Sequence, residues 1–219
     1  MSIAAAATLP IASEKGPVFR YSGFESCPIR RNVDQMSNDY PTPSEIARKA
    51  VPLPAGVALR PLVTHHDSRG DLTELNRSSW GLAPAIQWNL VHTRPNVLRG
   101  VHVHRLHADL LIVTAGEMIL GLQDLRTDAA THGLVAMMRL TFDDAHVVTT
   151  PPGVAHGFFF TVASCHIYSV THEFDGSDEL GCHWRDPALS LSWPGDDPEI
   201  STRDREAGSF AEMSAALNA

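Results

Sequence analysis

From Ala58 onward the chain is a succession of short runs of β-forming residues, spaced roughly ten residues apart and separated by turn residues. The runs are Ala58–Val63, Ile86–Val91, Leu110–Val113, Met118–Leu122, Val135–Leu140, Val147–Val148 and Cys165–Val170. Asn96, Gly100, Gly116, Gly133 and Gly153 fall between runs, where a positive φ or a close backbone approach is wanted. Short strands without intervening helical periodicity predict an all-β sandwich or barrel, not a parallel α/β sheet. The ends of the chain differ. Residues 1–57, rich in Ala, Ser and Pro, form an N-terminal extension with one short helix at Pro43–Ala50, for which Ser44 is the predicted cap. Residues 58–219 then make up the domain, closed by a short C-terminal helix over Ala207–Ala216.

Charge excludes whole classes of partner. Twenty-five Asp and Glu against seventeen Lys and Arg leave a formal charge of -8, so there is no basic field for nucleic acid or an anionic membrane. A phosphate group must be met by a few local arginines. No run approaches the ~20 apolar residues of a membrane span. Cys27, Cys165 and Cys182 are odd in number and widely spaced, which predicts reduced thiols and a cytoplasmic chain.

Twelve histidines are the one compositional surplus. His102 and His104, two apart in a β-context, share one face of a strand, the face predicted to line the barrel interior. Asp109 follows five residues later, and Pro151-Pro-Gly-Val-Ala-His156 lies downstream. The spacing resembles the two cupin motifs, which implies a cupin barrel (a double-stranded β-helix, or jelly roll). It also implies that His102, His104, Asp109 and His156 could ligate Fe, Mn, Ni or Zn. His107, His132, His146, His166, His172 and His183 have no such spacing and are predicted to be solvated or to flank the site.

A second layer of motifs is more specific. Asp67–Glu74, Val97–His102, Asp124–Gly133, Pro152–Phe158, Tyr168, Trp184–Pro187, Trp193-Pro194 and Ser201–Asp204 occur in order over about residues 60–205. In these segments the chain resembles the dTDP-4-dehydrorhamnose 3,5-epimerase family, whose members invert carbons of a 4-keto-6-deoxy sugar nucleotide. The resemblance implies a cofactor-free isomerase, a homodimer, and removal and return of a proton α to a ketone by one base and one acid across the sugar ring. It implies His102 as base, Asp186 as its orienting carboxylate and Tyr168 as acid. It further implies Arg99, His156 and Phe174 as substrate contacts, with Arg69 and Glu74 reaching a nucleotide site, often across the subunit boundary. The family glutamine two residues after the base is His104 here, Asp109 stands in the place of a lysine that steadies the enolate, and Asp71 and Leu72 replace a stacking aromatic.

The lysine change opens an alternative. A metal held by His104, Asp109 and His156 could polarise the ketone in its place. With His102 as a further ligand, the chain would instead be a metal-dependent oxygenase or isomerase of a small molecule, and the two readings compete for one histidine. A third is a sugar-nucleotide-binding barrel without chemistry.

Overall fold

The computed structural model describes residues 39–219, so Cys27 and most of the expected N-terminal extension lie outside the described residues. Two five-stranded sheets face each other as a jelly roll. One has the order β1-β9-β6-β11-β4, where β1 is Ala58–Pro61, β4 Gln87–Thr93, β6 Asp109–Ala115, β9 His146–Thr150 and β11 Ser164–Val170. The other has the order β12-β5-β10-β7-β8, where β5 is Val97–His104, β7 Glu117–Asp124, β8 Val135–Thr141, β10 Val154–Phe160 and β12 Glu179–Gly181. A hairpin of β2 (Thr64–Asp67) and β3 (Gly70–Thr73) stands apart.

Leu111 and Val113 of β6, Met118, Leu120 and Leu122 of β7, Met138 of β8, Val148 of β9 and Phe160 of β10 form the core between the sheets. Each such side chain taken fully out of water contributes roughly 1.5–3 kcal/mol. The second sheet is apolar on its outer face too. Val101 and Val103 of β5 and Ala155 of β10 pack there under Cys182, Leu189, Leu191 and Met213. Because Val101 and Val103 face outward, alternation turns His102 and His104 inward.

The first predicted helix keeps its start but changes its cap, and the last one starts later. The first helix, α1, is Pro43–Lys49, and its cap is Thr42 rather than Ser44. Thr42 Oγ1 accepts from Glu45 N and Glu45 Oε2 accepts from Thr42 N, a reciprocal capping box, while Ser44 bonds Asp144. A short helix α2, Thr202–Arg205, precedes the C-terminal helix α3 at Phe210–Leu217. That helix begins three residues later than its predicted start at Ala207, because the Ser209–Glu212 capping box fixes its first turn. Gly100 is not a turn residue. It sits inside β5 at φ 117°, where a Cβ would lie 2.9 Å from both Gly157 Cα and His156 O. The bulge in the β5–β10 pairing, between His156 and Gly157, falls beside it.

Candidate active site

Strand β5 delivers His102 to the mouth of the barrel, and α2 delivers its partner. His102 Nε2 lies 2.7 Å from Asp204 Oδ1. Asp204 is held in the first turn of α2, its backbone N donating to the Oγ of the cap residue Ser201. The other ring nitrogen, His102 Nδ1, is 3.1 Å from Glu179 Oε1 on β12. Arg203 neutralises Glu179 through two contacts, Nη2 to Oε1 at 2.5 Å and Nη1 to Oε2 at 2.7 Å. Burial raises the Glu179 carboxyl, but Arg203 and His102 outweigh it and leave the group below the usual carboxylate range. Asp204 behaves likewise: burial pushes it up, and His102 pulls it further down. Each ring nitrogen of His102 thus faces a carboxylate oxygen.

A cavity of about 510 Å³ opens beside this group, lined by Thr93, Arg94, Arg99, His102, Glu199 and Arg203 among others. Arg99 reaches only Thr93 Oγ1, at 3.4 Å, and among the described residues no carboxylate lies within ion-pair distance of its guanidinium. It is the arginine best placed to meet an anion in a chain of net negative charge. Tyr168 stands on β11 in the facing sheet, half-buried against the core between the sheets. Burial first, then the charges of Asp109 and Glu179, raise its phenol above the usual value. The shift favours a protonated tyrosine, the form that an acid needs.

Deeper in the barrel, His104 of β5, Asp109 of β6 and His156 of β10 are all buried, together with His107. Asp109 Oδ2 lies 3.5 Å from His104 Nε2 and 3.4 Å from His156 Nε2, and Asp109 Oδ1 is 3.9 Å from His107 Nε2. Burial raises the Asp109 carboxyl and lowers His104 and His156. The ligand set predicted from the motifs is corrected here. His104, Asp109 and His156 converge, with His107 beside them, but His102 is paired with Asp204 and Glu179 instead. His166, predicted to be solvated or to flank the site, is 1% exposed and stacks on Phe160.

Other expected residues lie elsewhere. Asp186 is not beside His102. Its carboxylate accepts from Ala188 N and Phe210 N, tying the Trp184–Pro187 turn to the start of α3. The correction is physical: both carboxylate oxygens are taken by backbone N–H groups, one in its own turn and one at the start of α3. Arg69 and Glu74 are on or next to the β2–β3 hairpin, away from the residues that line the cavity, and are paired locally with Asp67 and Arg77. Phe174 is exposed, with its backbone N donating to Gln87 Oε1. Sequence reasoning missed Glu179 and the use of Asp204. The Ser201–Asp204 segment carried the signal, since a Ser cap followed three residues later by an acid marks a helix start that fixes a carboxylate.

Fold and site together define a cupin-type isomerase, a barrel that presents a carboxylate-bound histidine to a cavity with a tyrosine on the opposite sheet. The family model for dTDP-4-dehydrorhamnose 3,5-epimerase matches residues 53–212, and the chain belongs to that family. The dTDP-4-dehydrorhamnose 3,5-epimerase of Streptomyces griseus is 32% identical over 159 residues, covering 67% of this chain and 78% of that one. Among solved structures, the RmlC epimerase of Mycobacterium tuberculosis superposes with a TM-score of 0.69 at 26% identity, over 74% of this chain and 88% of that one. The epimerase of Legionella pneumophila, solved with dTDP-4-keto-L-rhamnose, gives 0.68 at 25% identity, over 74% and 91%. These relatives support an epimerase and not a metal-dependent oxygenase. Among the described residues no helix is long and apolar enough to cross a membrane.

Proposed function

We propose that this chain epimerises a nucleotide-linked 4-keto-6-deoxy sugar, with His102 removing the proton α to the ketone and Tyr168 returning one to the other face. The observation that carries this reading is the 2.7 Å contact of His102 with Asp204 at the edge of the cavity. Asp204 takes the N–H of Nε2, and Nδ1, which lies 3.1 Å from Glu179 Oε1, takes the substrate proton once bound substrate parts it from that carboxylate. When Nδ1 gains the proton, both carboxylates stabilise the imidazolium, which lowers the cost of forming the enolate. Tyr168, protonated by its surroundings, then supplies a proton across the ring. Arg99 serves as the substrate contact for the diphosphate, while His156, which the family resemblance would also place there, lies buried beside Asp109 and does not line the cavity.

The ligand in the Legionella relative's structure and the arginine at the cavity support a nucleotide-sugar substrate. No cofactor takes part in the proton transfer. We further propose a homodimer in the cytoplasm. Val63, Leu72, Ile86, Trp88 and Leu90 are exposed apolar residues on or beside the hairpin and β4, and a second copy would cover them. Arg69, Glu74 and Phe174 would then reach the nucleotide site across the interface. Two described cysteines, Cys165 and Cys182, are free thiols, in keeping with a reducing compartment.

Solvent deuterium uptake tests the reaction. Incubation in deuterated buffer with dTDP- and UDP-linked 4-keto-6-deoxy sugars is expected to label carbon 3, carbon 5 or both. Failure to label either carbon in all of them overturns the proposal.

A further inference from the structure

We propose that His104, His107 and Asp109, with His156 closing the set, bind one divalent first-row transition-metal ion inside the barrel. The three side chains present ligand atoms that all lie within 4.8 Å of one another. The separations from the carboxylate to the imidazoles, 3.4 and 3.5 Å, are too long for good hydrogen bonds. They match the edge of a tetrahedron whose ligands stand at metal distance, about 3.3–3.4 Å for bonds of about 2.0–2.1 Å. His107 Nε2 is 3.9 Å from Asp109 Oδ1, and its ring, stacked on His104 with centroids 3.8 Å apart, must turn to direct Nε2 at the ion.

Outer contacts fix the tautomers. His107 Nδ1 meets Asp178 Oδ2 at 2.8 Å, and since a carboxylate can only accept, Nδ1 carries the proton and Nε2 is left as a lone pair facing Asp109. The same Asp178 accepts from the backbone N of Arg105, Leu106 and His107, which fixes the loop that carries the ring. His156 Nδ1 lies 3.2 Å from Val154 O, so its Nε2 is likewise free to ligate. A histidine locked by a carboxylate or carbonyl on its far nitrogen is the usual outer shell of a metal ligand. Asp109 Oδ2 and His104 Nδ1 are buried and have no hydrogen-bond partner, and an ion would satisfy Asp109 Oδ2. Three imidazoles and one carboxylate favour Zn²⁺, Fe²⁺, Co²⁺ or Ni²⁺ over Mg²⁺ or Ca²⁺.

The ion site and the proton-transfer residues are separate, so either assignment can fail alone. Purified full-length protein, stripped with chelator and dialysed against Zn²⁺ or Co²⁺, is expected to retain about one equivalent by elemental analysis. The Co²⁺ form is expected to show visible d–d bands of four-coordinate strength, and added Zn²⁺ to raise Tm. His107→Gln is expected to weaken binding by more than ~100-fold, and Asp178→Asn by ~10–100-fold. His102→Gln, which alters the proposed base, is expected to leave stoichiometry and Co²⁺ bands unchanged. Retention below about a tenth of an equivalent by wild type after both dialyses overturns the site. If His102→Gln loses the metal while a folded His107→Gln keeps it, His107 is not the ligand. If His107→Gln does not fold, the wild-type stoichiometry and the His102→Gln spectrum still decide the question.

Discussion

Replacing Asp204 by Asn separates the carboxylate that the structure gives His102 from the one suggested by the sequence. In the fold Asp204 Oδ1 is 2.7 Å from His102 Nε2, and Asp186 bonds only backbone N–H groups, of Ala188 and Phe210. A hydrogen bond to a charged group contributes about 1.5–3 kcal/mol. The contact is strongest when His102 is an imidazolium, so its loss falls on the transition state for proton removal. At 1.36 kcal/mol per tenfold, kcat should drop by roughly 10–150-fold. Glu179, 3.1 Å from the other nitrogen, remains and keeps the loss below that of removing the base. KM should change by less than about threefold, because the interaction is realised only as charge develops. Asp186→Asn should leave kcat within about twofold and cost at most about 1 kcal/mol of stability through the Phe210 contact. The assay is product formation from dTDP-4-keto-6-deoxyglucose followed by NMR, with Tm recorded for each variant. A wild-type kcat in Asp204→Asn, or a larger fall in Asp186→Asn, would refute the dyad.

Three further outcomes follow from buried groups and backbone. Burial, then Arg99 and His92, hold His166 down to about 4. The unfolded imidazole protonates near its ordinary value of about 6.5, so between those values the unfolded state binds more protons and stability drops as the pH is lowered. The loss approaches about 3 kcal/mol, and urea melts at about pH 7 and about pH 4.5 should show a smaller drop in His166→Phe; an equal drop in both proteins contradicts this. Burial, aided by Asp186, pushes the Cys182 thiol up to about 12. In a variant with Cys27 and Cys165 changed to Ser, an aromatic disulfide reagent at about pH 8 should label nothing until the protein unfolds, and labelling of the native protein within minutes contradicts the assignment. Gly100→Ala puts a Cβ into Gly157 and His156 at a positive φ. It should cost about 2–3 kcal/mol and lower Tm by roughly 4–12 °C, and an unchanged Tm argues against the bulge.

The β-architecture was legible because alternation and turn residues report local geometry. Seven runs marked strands of the barrel, and His102 and His104 could be placed on one inner face by parity alone. Strand β10 was hidden, because Val154–Phe160 is interrupted by His156 and Gly157, which serve the site and the bulge. The carboxylate partner was not legible for a different reason. Asp186 and Asp204 are both near the end of the chain, one in a turn and one in a short helix, and only the path of the chain after Trp193 brings Asp204 to β5. His107 carries no motif spacing. It joins the cluster because Asp178, seventy-one residues away, fixes the loop that holds it. Spacing within one strand can be read from a sequence, but long-range pairing of this kind depends on the closed barrel.

Proton removal by His102 is the claim on which the rest depends. It is tested most directly by following solvent deuterium at carbons 3 and 5 of dTDP-4-keto-6-deoxyglucose with wild type and His102→Gln, at matched folded concentration. Wild type should exchange, and the variant should be slower by roughly 10²–10⁴-fold, the usual worth of a positioned base. Exchange by His102→Gln at the wild-type rate would contradict the assignment.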